Sequence, residues 1–167
     1  MPTTVEARAP ISLPQEECWE KLRDLSLAAH YVPGVTKCVI TTERKEGVGA
    51  SRVVTHRQFG DMDETVVEWD EGAGITIRLH KGDQAAFPFR EAFFRYELEP
   101  ADEGCVIHTR LTWTLPWGPI GRLLDRLAMK RFSQGNVRDV AVSLAEYYVT
   151  GESVPESELP RLRSNAL

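Results

Sequence analysis

Histidine, cysteine and serine are the side chains most often recruited for metal or nucleophilic chemistry, and their spacing in this chain does not favour it. His30, His56, His80 and His108 fall on different predicted elements, and no HxxxH or HExxH pattern joins them. No metal site is therefore expected. Cys18, Cys38 and Cys105 are odd in number and widely separated, with no CxxC pair. They read as small apolar residues carrying reduced thiols. No GxSxG turn is present, and Gly47-Val-Gly49 lacks the continuation of a phosphate loop, so it reads as a hairpin turn. Any chemistry must come from groups that the fold brings together.

The composition limits what that fold can be. The chain has 167 residues, 42% hydrophobic and 27% charged, which suits one domain with a sizeable core. Only 3 Cys, 12 Gly and 10 Pro occur, which excludes collagen-like and disulfide-scaffold classes. Twenty cationic residues against 25 anionic ones give a net charge of −5, unfavourable for broad nucleic-acid binding. The sequence shows no signal-peptide pattern and no run approaching the roughly 18–20 apolar residues of a membrane span. A cytoplasmic location is expected.

Period-two alternation of Val5, Ala7, Ala9 and Ile11 predicts a strand. Ser12 and Pro14 open a helix with Cys18, Trp19, Leu22 and Leu25 on its apolar stripe, and a second short helix runs from Ser26 to Tyr31. Strands are expected over Val35–Glu43, Ala50–Phe59, Met62–Asp70, Ile75–Lys81, Ala86–Glu99 and Cys105–Leu115. The short links between them imply an antiparallel meander. After Pro119 the period becomes helical, with Ile120, Leu123, Leu124, Leu127, Phe132, Val137, Val140, Leu144 and Tyr148 as its stripe and Gly151 beyond its end. The polar run Ser133-Gln-Gly-Asn136 suggests a kink near Gly135. Residues 1–151 are read as a single domain. The Glu/Ser/Pro-rich residues 152–167 are read as a disordered tail.

This order predicts an α+β helix-grip fold: a curved seven-stranded antiparallel sheet wrapped around a long C-terminal helix, with two short helices after the first strand. The chain resembles the START-related (SRPBCC) superfamily, in its polyketide cyclase/dehydrase-like branch. The residues that carry the resemblance are Ala9-Pro-Ile-Ser-Leu-Pro-Gln-Glu-Glu-Cys-Trp, His30-Tyr-Val-Pro-Gly-Val, Gly47-Val-Gly-Ala-Ser-Arg and Glu64-Thr-Val-Val-Glu-Trp-Asp. The resemblance implies a hydrophobic cavity between sheet and helix for a lipid, polyketide or quinone-like molecule. It implies no cofactor.

Alternation places Ala92, Phe94, Tyr96 and Leu98, and Ile107, Thr109, Leu111, Trp113 and Leu115, on the inner face. His80 and His108 then point outward. A two-residue turn at Gly60-Asp61 would pair Arg57 with Glu64 and Val53 with Glu68. Both faces of that hairpin have comparable apolar content, so its phase is open. A surface Arg57–Glu64 pair would turn His56 and Trp69 inward. Trp69, Phe94, Tyr96, Thr109, Trp113 and Asn136 are the candidate ligand-binding residues, with Asn136 over the cavity mouth.

For a cyclase the acid/base candidates are His56, Arg57, Glu64, Arg90 and Tyr96, with His56 and Tyr96 foremost. Aromatase/cyclase relatives carry an arginine on a central strand, but Met62–Asp70 has none. The sequence is therefore read as a binding or carrier protein, with an aromatase/cyclase or dehydratase as the alternative. The expected partner is a hydrophobic small molecule, to a monomer or homodimer. Nucleic acid is not expected. Arg122, Arg126, Lys130 and Arg131 beside Leu123, Leu124, Leu127 and Phe132 allow at most a transient membrane contact.

Overall fold

The protein is described by a computed structural model covering residues 1–124 and 128–167, the side chains of Arg122 and Leu124 excepted. Eight antiparallel strands form one sheet: β1 (Thr3–Ile11), β2 (Val35–Ile40), β3 (Ser51–His56), β4 (Gly60–Asp70), β5 (Gly74–Lys81), β6 (Gln84–Ala85), β7 (Glu91–Ala101) and β8 (Gly104–Thr114). Their order is β1-β8-β7-β5-β4-β3-β2, with the two-residue β6 appended to β5. The first strand therefore pairs with the last, along Thr3–Ile11 and Cys105–Trp113. Helices α1 (Gln15–Leu22) and α2 (Ala28–Tyr31) follow β1. Helices α3 (Gly118–Leu124), α4 (Lys130–Thr150) and α5 (Leu159–Leu162) follow β8.

The concave face of this open sheet packs on α4. Ala92, Phe94, Tyr96 and Leu98 of β7 and Ile107, Leu111 and Trp113 of β8 are buried together with Val137, Val140, Ala141, Leu144 and Tyr148 of α4. Burying each large side chain stabilises the fold by about 1.5–3 kcal/mol, so this interface is the main source of stability. Among the described residues no helix is long and apolar enough to cross a membrane.

Four expectations need correction. Strand β7 begins at Glu91 rather than Ala86, because residues 86–90 form a loop. Helix α4 runs unbroken through Gly135. The polar run is accommodated: Ser133 is buried, and the Gln134 amide donates to the Glu6 carbonyl of β1 at 2.7 Å. The early part of the helical stripe is not core, since Ile120, Leu123 and Phe132 are exposed. Asp125, Arg126 and Leu127 of that stretch lie outside the described residues.

Finally, residues after Gly151 form short helical turns docked on the domain. Leu159 and Leu162 are buried, and Arg163 grips the Asp139 carboxylate with two bonds of 2.9 Å. Two leucines three apart supply the apolar face that the polar average of the segment conceals.

Candidate ligand site

The hairpin register decides what enters the concave face. The loop between β3 and β4 is Arg57-Gln58-Phe59, and His56 pairs with Gly60. Gly60 has φ +72°, the left-handed conformation that closes a three-residue hairpin loop. Arg52 therefore lies opposite Glu64, and Val54 opposite Met62. The expected Arg57–Glu64 pair does not form; Arg57 is exposed and faces Glu156 at 3.6 Å. Arg52, Val54, His56, Met62, Glu64 and Val66 share the inner face.

Arg52 is thus carried into the interior, where it is 2% exposed. Its Nε donates to Glu64 Oε2 at 2.6 Å and its Nη1 to the Leu25 carbonyl at 2.6 Å. The positive charge of the same guanidinium acts on the Tyr31 and Tyr96 hydroxyls and opposes part of the effect of their burial. Tyr31 packs edge-on against Tyr96 and Tyr148, with centroids 6.3 and 6.0 Å away. The Tyr148 hydroxyl is buried and has no hydrogen-bond partner among the described residues. An unsatisfied buried hydroxyl costs about 1–3 kcal/mol, and a buried ion pair is rarely a net source of stability.

Burial pushes all three phenols above the usual tyrosine range, Tyr96 and Tyr148 furthest. Burial also opposes the charge of Arg52, but the Glu64 carboxylate outweighs it and holds the guanidinium protonated. At neutral pH the cluster is a charge-compensated pair surrounded by protonated phenols. It can donate hydrogen bonds to a carbonyl or hydroxyl oxygen. Phenols held protonated in this way are poor proton acceptors.

A second group of residues lines a cleft of about 410 Å³ between the β3–β4 hairpin, α4 and the C-terminal turns. His56, Phe59, Phe132, Asn136, Asp139 and Arg163 contribute to it. The His56 ring stacks on Phe59 at 4.6 Å, and its Nδ1 accepts from the Gln58 N–H at 3.1 Å. The ring also lies against Gly34, where φ is +81° and a Cβ would collide with the imidazole. Gly34 therefore permits both the turn and the close approach.

The predicted residues divide between these places. His56 and Asn136 meet at the cleft. Tyr96 belongs to the interior cluster, with Phe94 packed on it at 4.6 Å. His56 lies four positions beyond Arg52 on β3, about 13 Å along the strand, so His56 and Tyr96 belong to different groupings. The Thr109 hydroxyl lies 3.1 Å from the Val137 carbonyl and 3.3 Å from that of Ala7, joining α4 to the sheet. Trp113 is buried and tilts against Phe89 at 6.2 Å.

Trp69 follows an irregularity in β4 between Val66 and Glu68. It packs edge-on against Trp19 at 5.2 Å. Both indoles donate to the Glu71 carboxylate, at 2.7 and 3.0 Å, which holds that carboxyl below its ordinary range. Trp69 thereby fastens α1 to the sheet. Arg52, Tyr31 and Tyr148 were not legible as site residues. Reading Gly60 as the closing residue of a three-residue loop is the signal that would have exposed Arg52.

No curated protein matches the chain. Among solved structures it is similar to Ara h 8.0201 (18% identity, TM-score 0.65), covering 90% of this chain and 99% of that one. It is also similar to TTHA0849 from Thermus thermophilus (22%, TM-score 0.69; 89% and 99% covered). A third is norcoclaurine synthase from Thalictrum flavum, in complex with dopamine and hydroxybenzaldehyde (13%, TM-score 0.66; 92% and 90% covered). At these identities the likeness concerns the fold: an open antiparallel sheet with a long C-terminal helix. The sequence itself matches one family model over residues 2–149, nearly the whole domain, and the chain belongs to the family described as polyketide cyclase / dehydrase and lipid transport.

Proposed function

We propose that the protein binds one predominantly apolar small molecule between the concave face of the sheet and α4. The molecule's oxygen-bearing end is oriented by Arg52 and the three tyrosines. The observation that carries this reading is the Arg52–Glu64 pair with Tyr31, Tyr96 and the unpartnered Tyr148 hydroxyl, enclosed by apolar side chains. A core selected for stability alone gains little from such a group, because apolar residues of similar volume are often as stable or more so. A ligand oxygen that accepts from Tyr148 removes the cost of its bare hydroxyl. Sites of this kind are mostly apolar with a few convergent polar groups.

Carriage without covalent change is the reading favoured over cyclisation. Burial keeps the phenols protonated, and His56 is on the cleft instead of beside them. Native mass spectrometry of freshly purified protein tests the proposal. A stoichiometric hydrophobic adduct, released under denaturing conditions, is the expected result. Persistent absence of any adduct, together with no response to lipophilic dyes, overturns it.

A further inference from the structure

One end of the molecule carries an apolar surface that the ligand site does not explain. Phe87, in the loop before β7, is 88% exposed, and Trp117, just before α3, is 45% exposed. Their rings meet edge-to-face with centroids 6.4 Å apart. Ile120 and Leu123 on α3 are 71% and 59% exposed. Four large apolar side chains from two adjacent segments thus form a lip turned to solvent. A soluble surface rarely concentrates such residues without a use.

The charge around the lip differs from that of the rest of the chain. Residues 117–132 contain four cations (Arg122, Arg126, Lys130 and Arg131) and one anion (Asp125), a local charge of +3. With a total of −5, the remainder of the chain carries −8. Lys130, Arg131 and Arg90 are exposed, and none pairs with a carboxylate among the described residues. On the sheet, at the end of α1 and on the C-terminal turns, by contrast, Arg8, Arg23, Arg95, Arg110, Arg161 and Arg163 hold carboxylate partners, while Lys37, Arg44 and Lys45 are exposed cations away from any such apolar tip. An aromatic and aliphatic tip beside unpaired cations has the chemistry of an anionic lipid interface, where Trp and Phe enter the headgroup layer and Lys and Arg meet its charge.

We infer that the lip formed by Phe87, Trp117, Ile120 and Leu123 docks on anionic membrane surfaces. The inference does not require the interior site to be occupied. A second copy of the chain is a poorer match, because it would set one cationic rim against another.

The test is co-sedimentation of the full chain with vesicles of phosphatidylcholine containing about 30% phosphatidylglycerol, beside pure phosphatidylcholine. Binding to the anionic vesicles, a blue shift of tryptophan emission and weakening in about 0.5 M salt are expected. The double substitution Ile120→Ser/Leu123→Ser should lower the partition coefficient about tenfold at unchanged melting temperature. Lys130→Gln/Arg131→Gln should lower it about threefold or more, and this second variant decides the matter if the first fails to fold. Absence of binding to anionic vesicles overturns the inference, as does binding that neither variant alters. Self-association abolished by the Ile120/Leu123 variant, without vesicle binding, overturns it in favour of a second copy. Arg52→Met/Glu64→Met should still bind vesicles, so failure of docking and failure of the ligand reading are distinguishable.

Discussion

The two faces of the sheet use the same ionic chemistry to different ends. On the convex face Arg95 reaches Asp70 at 2.7 Å and Glu97 at 3.3 Å, and its Nη1 lies 3.5 Å from Glu68. Beside it, His108 stands between Glu6 and Glu99, and Glu6 also meets Arg110. These pairs run across β1, β8, β7, β5 and β4, and most of their carboxylates are open to water. On the concave face a single pair among the described residues, Arg52–Glu64, is enclosed, with side chains 3% and 14% exposed. The convex network ties neighbouring strands at little desolvation cost. The concave pair is expensive to bury, and what surrounds it is phenols and aliphatic groups. The difference separates ion pairs that tie strands together in water from the one buried pair on which the proposed ligand site is built.

The largest expected effect follows from breaking the concave pair on one side only. Arg52→Ala leaves Glu64 without its partner and should cost about 3–5 kcal/mol in urea unfolding. Removing both charges at once, in Arg52→Met/Glu64→Met, should recover most of that loss. If single and double variants are equally unstable, the pair is structural and the distinction between the faces fails.

Tyr148→Phe removes the unpartnered hydroxyl. It should stabilise the unliganded protein by about 1 kcal/mol while weakening ligand binding. A loss of stability of similar size would mean that the hydroxyl is satisfied within the fold.

The pH dependence should also divide between the faces. Tyr31, Tyr96 and Tyr148 have folded values above their ordinary 10.0, so the stability they contribute is full below about pH 10 and is lost as pH rises through the folded values. A hydrogen bond from Arg95 holds Glu97 below the ordinary 4.5. Burial works against Glu6, but its bonds to Arg110 and His108 prevail and hold it low as well. Their contribution is present above about pH 4.5 and is lost as pH falls through the folded values. The concave face should therefore set the alkaline limb of a melting-temperature profile, and the convex face part of the acid limb. In Tyr148→Phe the alkaline limb should be shallower and the acid limb unchanged.

The smallest effect is expected from Arg8→Ala on the convex face. Arg8 pairs with Glu99 across exposed side chains, and its loss should cost under about 1 kcal/mol, less still in high salt. A cost approaching that of Arg52→Ala would erase the contrast.

Sequence reading captured the parts of the fold in which alternation is unambiguous. On β7, apolar Ala92, Phe94, Tyr96 and Leu98 alternate with charged or outward residues, and all four are buried. Ile107, Thr109, Leu111 and Trp113 on β8 behave likewise. The β3–β4 hairpin resisted because Val53 and Val54 are adjacent and Gly60-Asp61 resembles a two-residue turn. The three-residue loop brings Arg52 opposite Glu64, a partner that no spacing rule within one strand can supply. Tyr31 ends the four-residue α2, too short for a stripe to show its inward face, and Tyr148 looked like one more member of an apolar stripe. The interior cluster joins five elements, α2, β3, β4, β7 and α4, so each member looked ordinary alone. The C-terminal segment misled for a different reason: Leu159 and Leu162 are too few to shift its average, yet enough to dock it.

The central claim is that the Arg52 cluster orients a ligand and is not a requirement of folding. It is tested most directly by titrating a lipophilic fluorescent probe that carries a polar head into the native protein and into Arg52→Met/Glu64→Met, with unfolding curves measured on the same samples. The account predicts saturable one-to-one binding to the native protein and at least about tenfold weaker binding to a double variant of comparable stability. Equal affinity in the two proteins would contradict it.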